Sequence, residues 1–370
     1  MRSYDVAVIG LGAAGAAALS ALARAGADVV GIDQFKPPHA FGSSHGETRL
    51  LRTAYSEGAF YVPLVRRAIT LWRELEARTS TRLFEQTGVT YAGARDDPFI
   101  ASARDAARRW KLNLRPVEGL EAWFRLPGDW LRLSDIEGGF LHPERAIAAL
   151  LKDAKAHGAT VLNDTRCEAV DASGATIQIP TSRGRIEAER VVVTTGAWTA
   201  ELLPELRPIT HVERRVVHWF ADPARRFTRE SGLAPFALST GNHQLFYGFP
   251  ANAKGEVKVG EHDTVQIVDG PEALKRKITR SDIAAIRPLV RRLMPGLGRH
   301  VRSQVCMYPM AKDERFILDR HPDDGRITIG AGLSGHGFKF APAIGEVLAN
   351  LALDKKQKVD VKTFRLAGRC

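Results

Sequence analysis

Gly10-Leu11-Gly12-Ala13-Ala14-Gly15 matches G-x-G-x-x-G, and it is the first place in the chain where residue types and spacing imply chemistry. Gly10 permits a tight turn, Gly12 lets backbone approach a pyrophosphate, and Gly15 lets a helix and a strand pack closely. A helix opening at Ala13 would offer free N–H donors and partial positive charge to phosphates. Asp33 follows Gly10 by 23 residues, near the offset expected of a carboxylate that accepts ribose hydroxyls. The pattern alone does not separate FAD from NAD. The three cysteines, Cys167, Cys306 and Cys370, are too few and too scattered for a disulfide framework or a zinc site, and no metal is expected. A thiolate is a nucleophile, but a lone cysteine is ordinarily a small buried hydrophobe.

These residues need particular elements to hold them. Tyr4 to Ile9 reads as a strand, Ala13 to Ala25 as a helix of small residues closed by Gly26, and Asp28 to Asp33 as the next strand. Together they form a βαβ unit, the start of a parallel sheet. A loop rich in Pro, His, Gly and Ser runs from Lys36 to Gly46. Tyr61 to Glu76 has helical spacing, with Leu64, Ala68, Leu71, Trp72 and Leu75 on one face. From Leu83 to His142 the pattern is mixed, with a helix near Ile100 to Trp110. Arg145 to His157 reads as a helix, Ala159 to Asn163 and Arg190 to Thr194 as strands. His211 to Tyr308 is rich in β-branched and aromatic residues and reads as mostly antiparallel strands plus a helix at Arg280 to Leu293. Arg326 to Ile329 reads as a final strand, followed by a glycine-rich loop and a helix from Ala343 to Leu353. The interleaving of βα and β-rich pieces predicts two domains built from discontinuous segments.

Four further segments carry specific patterns. They are Gly42-Ser43-Ser44-His45-Gly46-Glu47-Thr48-Arg49-Leu50-Leu51-Arg52, Val257-Lys258-Val259-Gly260-Glu261-His262, Val305-Cys306-Met307-Tyr308 and Gly332-Leu333-Ser334-Gly335-His336-Gly337-Phe338-Lys339-Phe340. With them, and with the closing Phe364-Arg365-Leu366, the chain resembles over essentially its whole length the family of monomeric sarcosine oxidases and N-methyltryptophan oxidases. The resemblance implies an α/β and α+β fold. A Rossmann-type FAD-binding domain would comprise residues 1–78, 144–211 and 313–370. A second, mostly antiparallel β-sheet substrate domain would comprise 79–143 and 212–312.

It also implies roles. Cys306 would carry FAD through a thioether to the flavin 8-methyl carbon, with His45 and Arg49 stabilising the electron-rich ring. Further cofactor contacts would come from Ala13, Ala14, Gln34, Ser43, Thr48, Thr195, Gly196, Trp198, Met307, Gly335, His336, Gly337 and Phe338. Cys167 is placed in the same wall as a small apolar residue, not as a nucleophile; Cys370 receives no role. Arg52 and Lys339 would hold a substrate carboxylate, for which a guanidinium and an ammonium are suitable anchors. Lys258 would promote oxygen reduction electrostatically, and His262 would lie near the substrate amine. Tyr247, Tyr308, Tyr55 and Leu238 would line the substrate pocket. The chain departs from the family at Ser44, Glu47 and Thr53, where His, Asp and His are frequent, and at Leu238, where sarcosine oxidase has methionine. Such changes bear on the side chain accepted.

The implied activity is oxidation by O2 of the C–N bond of an N-methyl amino acid, N-methyl-L-tryptophan or a similar one, giving formaldehyde, the primary amino acid and H2O2. Sarcosine, a cyclic imino acid such as pipecolate, and a glycated amino acid are alternative substrates; a dehydrogenase passing electrons to a carrier is an alternative reaction. A non-catalytic flavoprotein is a third class. An NAD-dependent dehydrogenase leaves the Cys306 segment and the loop before Lys339 without a job.

Composition bounds the rest. The 370 residues are 44% hydrophobic and 26% charged, ordinary for a globular protein, and no segment approaches a membrane span. The formal charge of +11 fits either an arginine-rich surface or a positive funnel for an anionic substrate. Nucleic-acid binding would concentrate basic residues in one segment, whereas here they are spread along the chain. A monomer in the reducing cytoplasm is expected, since no signal peptide is evident and cysteines are few.

Overall fold

The computed structural model describes residues 3–241, 244–262, 265–367 and 369. Among them the strands form three sheets. The first is seven-stranded, in the order Ile317–Arg320, Ile327–Ala331, Gly184–Val193, Ser3–Ile9, Val29–Ile32, Thr160–Leu162, with Ile177–Thr181 paired antiparallel to Gly184–Val193. Ser3–Ile9 lies between two parallel neighbours and is covered on both faces. Hence Val6, Ala7, Val8 and Ile9 are all buried, as a continuous apolar run in a parallel sheet requires.

The helix Ala13–Arg24 is built of small residues for a steric reason. It crosses the helix Ala341–Ala352 so closely that a Cβ on Gly345 would lie 2.4 Å from the backbone carbon of Ala17. The helix Pro143–Ala156 packs on its other side, and Ser20 Oγ donates to Asp153 Oδ2 at 2.6 Å.

The second sheet is nine-stranded and mixed. Its strands come from 89–135 and 210–311, whereas those of the first sheet come from 3–32, 160–193 and 317–331. Its centre is the long antiparallel pair Thr210–Ala221 and His300–Ala311, flanked by Glu256–Glu261, Leu245–Gly248 and Phe236–Ser239. Register decides what this sheet presents. Arg215 is opposite Cys306, Glu213 opposite Tyr308, Trp219 opposite Lys258, and Tyr247 opposite Gly260. Because side chains alternate with period two, these residues share one face. The other face carries Phe236, Leu238, Phe246, Val257 and Val259, which form an apolar core with the helix Arg280–Leu293. A small third sheet joins Arg49–Leu51, Gly139–Leu141 and Phe84–Glu85.

The segment 83–142, read as mixed, contains five short strands besides the helix Pro98–Trp110. Val89–Gly93 is buried at every position, so it has no alternation to detect. No helix among the described residues is long and apolar enough to cross a membrane.

Candidate active site

The turn after Ser3–Ile9 is built as its glycines require. Gly10 has φ +87°, and a Cβ there would lie 2.7 Å from the carbonyl oxygen of Thr194. A Cβ on Gly15 would lie 1.7 Å from the carbonyl oxygen of Gly10. Gly12 differs, since a Cβ there would meet nothing nearer than Ser44 Oγ at 3.8 Å. Packing of the chain does not demand glycine at that position; a molecule lying against the turn would. Asp33 Oδ2 accepts from Leu11 N at 2.7 Å and Oδ1 from Phe35 N at 2.9 Å, which fixes its carboxylate beside the turn.

A cavity of about 450 Å³ opens over this turn. It is lined by Gly10, Gly12, Ala13, Ala14, Asp33, Gln34, Cys167, Thr195, Gly196 and Trp198, and, where it adjoins a second cavity, by Arg49, Gly335 and Phe338, with Ser43, Met307 and Gly337 also in its wall. Phe35 and His39 also line it; His39 lies in the stretch read only as loop, and Phe35 just before it. Burial pushes the Cys167 thiol up to about 12, which keeps it protonated and inert. Gly15 does not line the cavity, its role being the helix–strand contact above.

The second cavity, of about 70 Å³, shares Arg49, Tyr308, Gly335 and Phe338 with the first. Cys306 lies in its wall, together with His45, Thr48, Arg52, Tyr247, Lys258, His262, His336 and Lys339. Sequence-distant segments 45–52, 247–262, 306–308 and 335–339 thus meet at one point. The loop before the Arg49–Leu51 strand is held there by Glu144, whose Oε1 accepts from Gly46 N at 2.6 Å and Glu47 N at 3.1 Å.

Lys258 Nζ is buried and donates to Gly46 O at 2.7 Å, Thr48 O at 2.8 Å and Thr48 Oγ1 at 3.4 Å. Burial, then Arg49, depresses its pKa well below the usual lysine range. Three acceptors nevertheless match the three N–H bonds of an ammonium. Cys306 is free and buried. Burial raises its thiol pKa, while Arg49 and Lys258 pull the other way. Arg49 spans this region by donating to Thr48 O and Ser43 O, each at 2.9 Å. His45 is buried, with neither ring nitrogen hydrogen-bonded among the described residues. Burial and then Arg49 lower its pKa to about 3, so the ring is neutral.

Lys339, Tyr55 and His336 form a directed chain. Lys339 Nζ donates to His336 O at 2.8 Å and to Tyr55 Oη at 3.1 Å. Tyr55 Oη lies 2.7 Å from His336 Nδ1, and His336 Nε2 lies 3.3 Å from Glu314 O. Burial lowers His336 to about 3, so the neutral ring accepts from Tyr55 at Nδ1 and donates from Nε2 to the carbonyl. Burial and then Arg52 bring Lys339 down to about 7. His262 is lowered to about 4, again by burial first.

Tyr55 therefore supports Lys339 from behind instead of facing the cavity. Leu238 is not brought to the site at all. It pairs with Phe246 on the core face of the sheet, and alternation puts Ala237, opposite Tyr247, on the site face. Arg52 meets the cavity, but its guanidinium already donates to Ser56 Oγ at 2.9 Å and forms an ion pair with Glu57. Burial pushes the Glu57 carboxyl up, yet Arg52, His336 and Lys339 outweigh it and hold the group well below the carboxylate range. Glu57 and the cavity residue Arg215 carried no motif in the sequence. Only the strand register, which aligns Arg215 with Cys306, marks the latter. The glycines Gly335 and Gly337 answer to the chain itself: a Cβ on Gly335, at φ +70°, would lie 2.2 Å from the Tyr308 ring, and one on Gly337 would lie 2.5 Å from Leu333 Cβ. Cys370 lies outside the described residues.

Comparison with known proteins matches residues 5–351 to the FAD dependent oxidoreductase family. The N-methyl-L-tryptophan oxidase of Yersinia pestis (strain Pestoides F) is 37% identical, the match covering 98% of this chain and 99% of that one. Among solved structures, NikD, an unusual amino acid oxidase essential for nikkomycin biosynthesis, superposes with a TM-score of 0.86 at 23% identity, covering 99% of this chain and 98% of that one. Glycine oxidase from Geobacillus kaustophilus superposes with a TM-score of 0.83 at 19% identity, covering 100% and 99%. These two likenesses concern the fold.

Proposed function

Because the chain belongs to the FAD dependent oxidoreductase family, we propose that it oxidises the C–N bond of an N-methyl amino acid with O2, yielding formaldehyde, the primary amino acid and hydrogen peroxide. The observation that carries this reading is the junction of a long cavity over a dinucleotide-type turn with a small cation-lined cavity at Cys306. The residues present fit an FAD. Gly12 leaves open space beside the turn, Asp33 is fixed beside the turn, and His45, whose ring nitrogens have no hydrogen-bond partner among the described residues, lines the small cavity. When bound, FAD supplies the two-electron acceptor. Cys306 would hold it through a thioether, and His45 and Arg49, which line the same cavity, would stabilise the electron-rich ring.

Arg52 and Lys339 bind the substrate carboxylate, with Glu57 sharing Arg52 until the substrate arrives. The surrounding cations disfavour an ammonium, so the substrate amine is held neutral. His262, uncharged above about pH 4, is a hydrogen-bond partner for that amine without adding charge. Tyr247 and Tyr308 supply apolar walls and exclude water. Lys258 places an ammonium where negative charge develops on O2.

The test is anaerobic addition of N-methyl amino acids to the yellow protein. The reading expects loss of flavin absorbance, restored by air with release of peroxide and formaldehyde. Absorbance unchanged by every amine tried would overturn it, and recovery without peroxide would favour an electron carrier over O2.

A further inference from the structure

The small cavity holds more positive charge than one carboxylate needs. Five cationic side chains line it, those of Arg49, Arg52, Arg215, Lys258 and Lys339, and among the described residues no carboxylate does. Glu57 answers Arg52 from behind. The remaining unexplained group is Arg215. It is 5% exposed, its guanidinium lies 5.1 Å from the centroid of the Tyr308 ring, and it projects from the same sheet face as Cys306. Its Nη2 pairs with Glu213, a carboxylate shared with His211 Nε2 at 3.0 Å. Its Nε and Nη1 find no hydrogen-bond partner among the described residues.

A buried guanidinium with unused donors is costly unless a ligand completes it. The substrate α-carboxylate is already assigned to Arg52 and Lys339. The His262 and Tyr308 ring centroids are 5.6 Å apart and the Arg215 guanidinium lies over Tyr308, whereas Arg52 and Lys339 gather over Tyr55 at 5.1 and 5.0 Å. A substrate amine at His262 therefore has one cationic pair at its α-carboxylate and a further guanidinium toward its side chain. Guanidinium donors in a fork match a carboxylate better than any neutral group.

We propose that Arg215 is a specificity-determining residue that binds a second acid group, so that the substrate is an N-methyl amino acid with a carboxylate side chain. This rests on the oxidase reading above and narrows it.

The test compares N-methyl-L-glutamate with its near-isostere N-methyl-L-glutamine in anaerobic stopped-flow reduction of the holoprotein, with N-methyl-L-tryptophan as a third probe. The half-saturating concentration is expected to be roughly 10- to 100-fold lower for the glutamate derivative, the worth of a charge-assisted hydrogen-bonded contact. In Arg215→Gln that ratio falls toward one, and Arg215→Lys retains part of it. A binding-only version uses glutarate against butyrate, followed by the flavin spectrum. Glutarate should bind more tightly to the wild type, and the difference should vanish in Arg215→Gln. If N-methyl-L-glutamine or N-methyl-L-tryptophan saturates the wild type as readily as N-methyl-L-glutamate, the inference is wrong. It is equally wrong if Arg215→Gln weakens both isosteres alike, the mark of a purely structural arginine. Should no N-methyl amino acid reduce the flavin, the oxidase reading itself fails, an outcome distinct from reduction without acidic preference. The wild-type comparison stands even if the variants do not fold.

Discussion

Replacing Lys258 with methionine should separate the two half-reactions. Lys258 Nζ is buried and fixed by Gly46 O, Thr48 O and Thr48 Oγ1, so its ammonium has no freedom to swing away. The cavity it lines is about 70 Å³. Such a space is about 5 Å across, and at that separation a unit charge acting through an effective dielectric of about 20 is worth about 3 kcal/mol. Since each ~1.4 kcal/mol is tenfold in rate, Lys258→Met should slow reoxidation of the reduced flavin by O2 roughly 100- to 500-fold. Reduction by substrate should change by less than about tenfold, because the carboxylate anchors, Arg52 and Lys339, are untouched. Methionine approximates the lysine stem but removes one of two donors from each carbonyl, leaving Thr48 N on Gly46 O and Arg49 on Thr48 O, so the flavin spectrum of the variant is the control for a shifted 46–48 loop. Stopped-flow measurement of each half-reaction decides. Equal slowing of reduction and reoxidation would refute an electrostatic role for Lys258 in the oxygen step.

Three further outcomes follow from the geometry. Lys339 has a pKa brought down to about 7 and must be protonated to bind an anion. A simple carboxylate without an amine should therefore bind best below about pH 7, weakening above it toward a plateau set by Arg52 alone; constant affinity between about pH 6 and pH 9 would contradict this. Arg52→Met removes the ion-pair partner of the partly buried Glu57 carboxylate and should cost roughly 1–3 kcal/mol of stability, much of it regained in the Arg52→Met/Glu57→Met double variant, as read from denaturant midpoints. Gly12→Ala has room in the chain and should fold but lose FAD, whereas Gly15→Ala drives a Cβ onto Gly10 O and should destabilise the domain itself; cofactor content and thermal unfolding tell the two apart, and full FAD retention in Gly12→Ala would contradict the proposed cradle.

Much of this arrangement was legible in the sequence wherever local rules suffice. The helix Arg280–Leu293 begins at Thr279, whose capping box with Asp282 is a local signal, and it was read to the residue. The Gly10–Gly15 turn declares itself through steric need. The strands Phe84–Glu85, Val89–Gly93, Leu114–Pro116 and Gly139–Leu141 did not, because burial on both faces or a length of two or three residues leaves no period to see. The site was legible in its motifs but not in its register. Leu238 was expected in the pocket, yet side-chain alternation turns it to the core with Phe246 while Tyr247 faces the site. Arg215 went unnoticed for the same reason: nothing in Val212-Glu213-Arg214-Arg215-Val216 says which arginine faces Cys306. The Glu57 ion pair depends on how the loop after Arg52 folds back, which spacing alone does not fix.

Everything proposed for the chemistry depends on a flavin bonded to Cys306 in the wall of the small cavity. Trypsin should release Ser303–Lys312 as the peptide containing Cys306. Acid precipitation of the yellow protein followed by mass spectrometry of that peptide tests that bond directly. The expected result is a coloured precipitate and this peptide heavier by the mass of the flavin, with both lost in Cys306→Ala. An intact chromophore left in the supernatant, or the added mass on any other peptide, would contradict it.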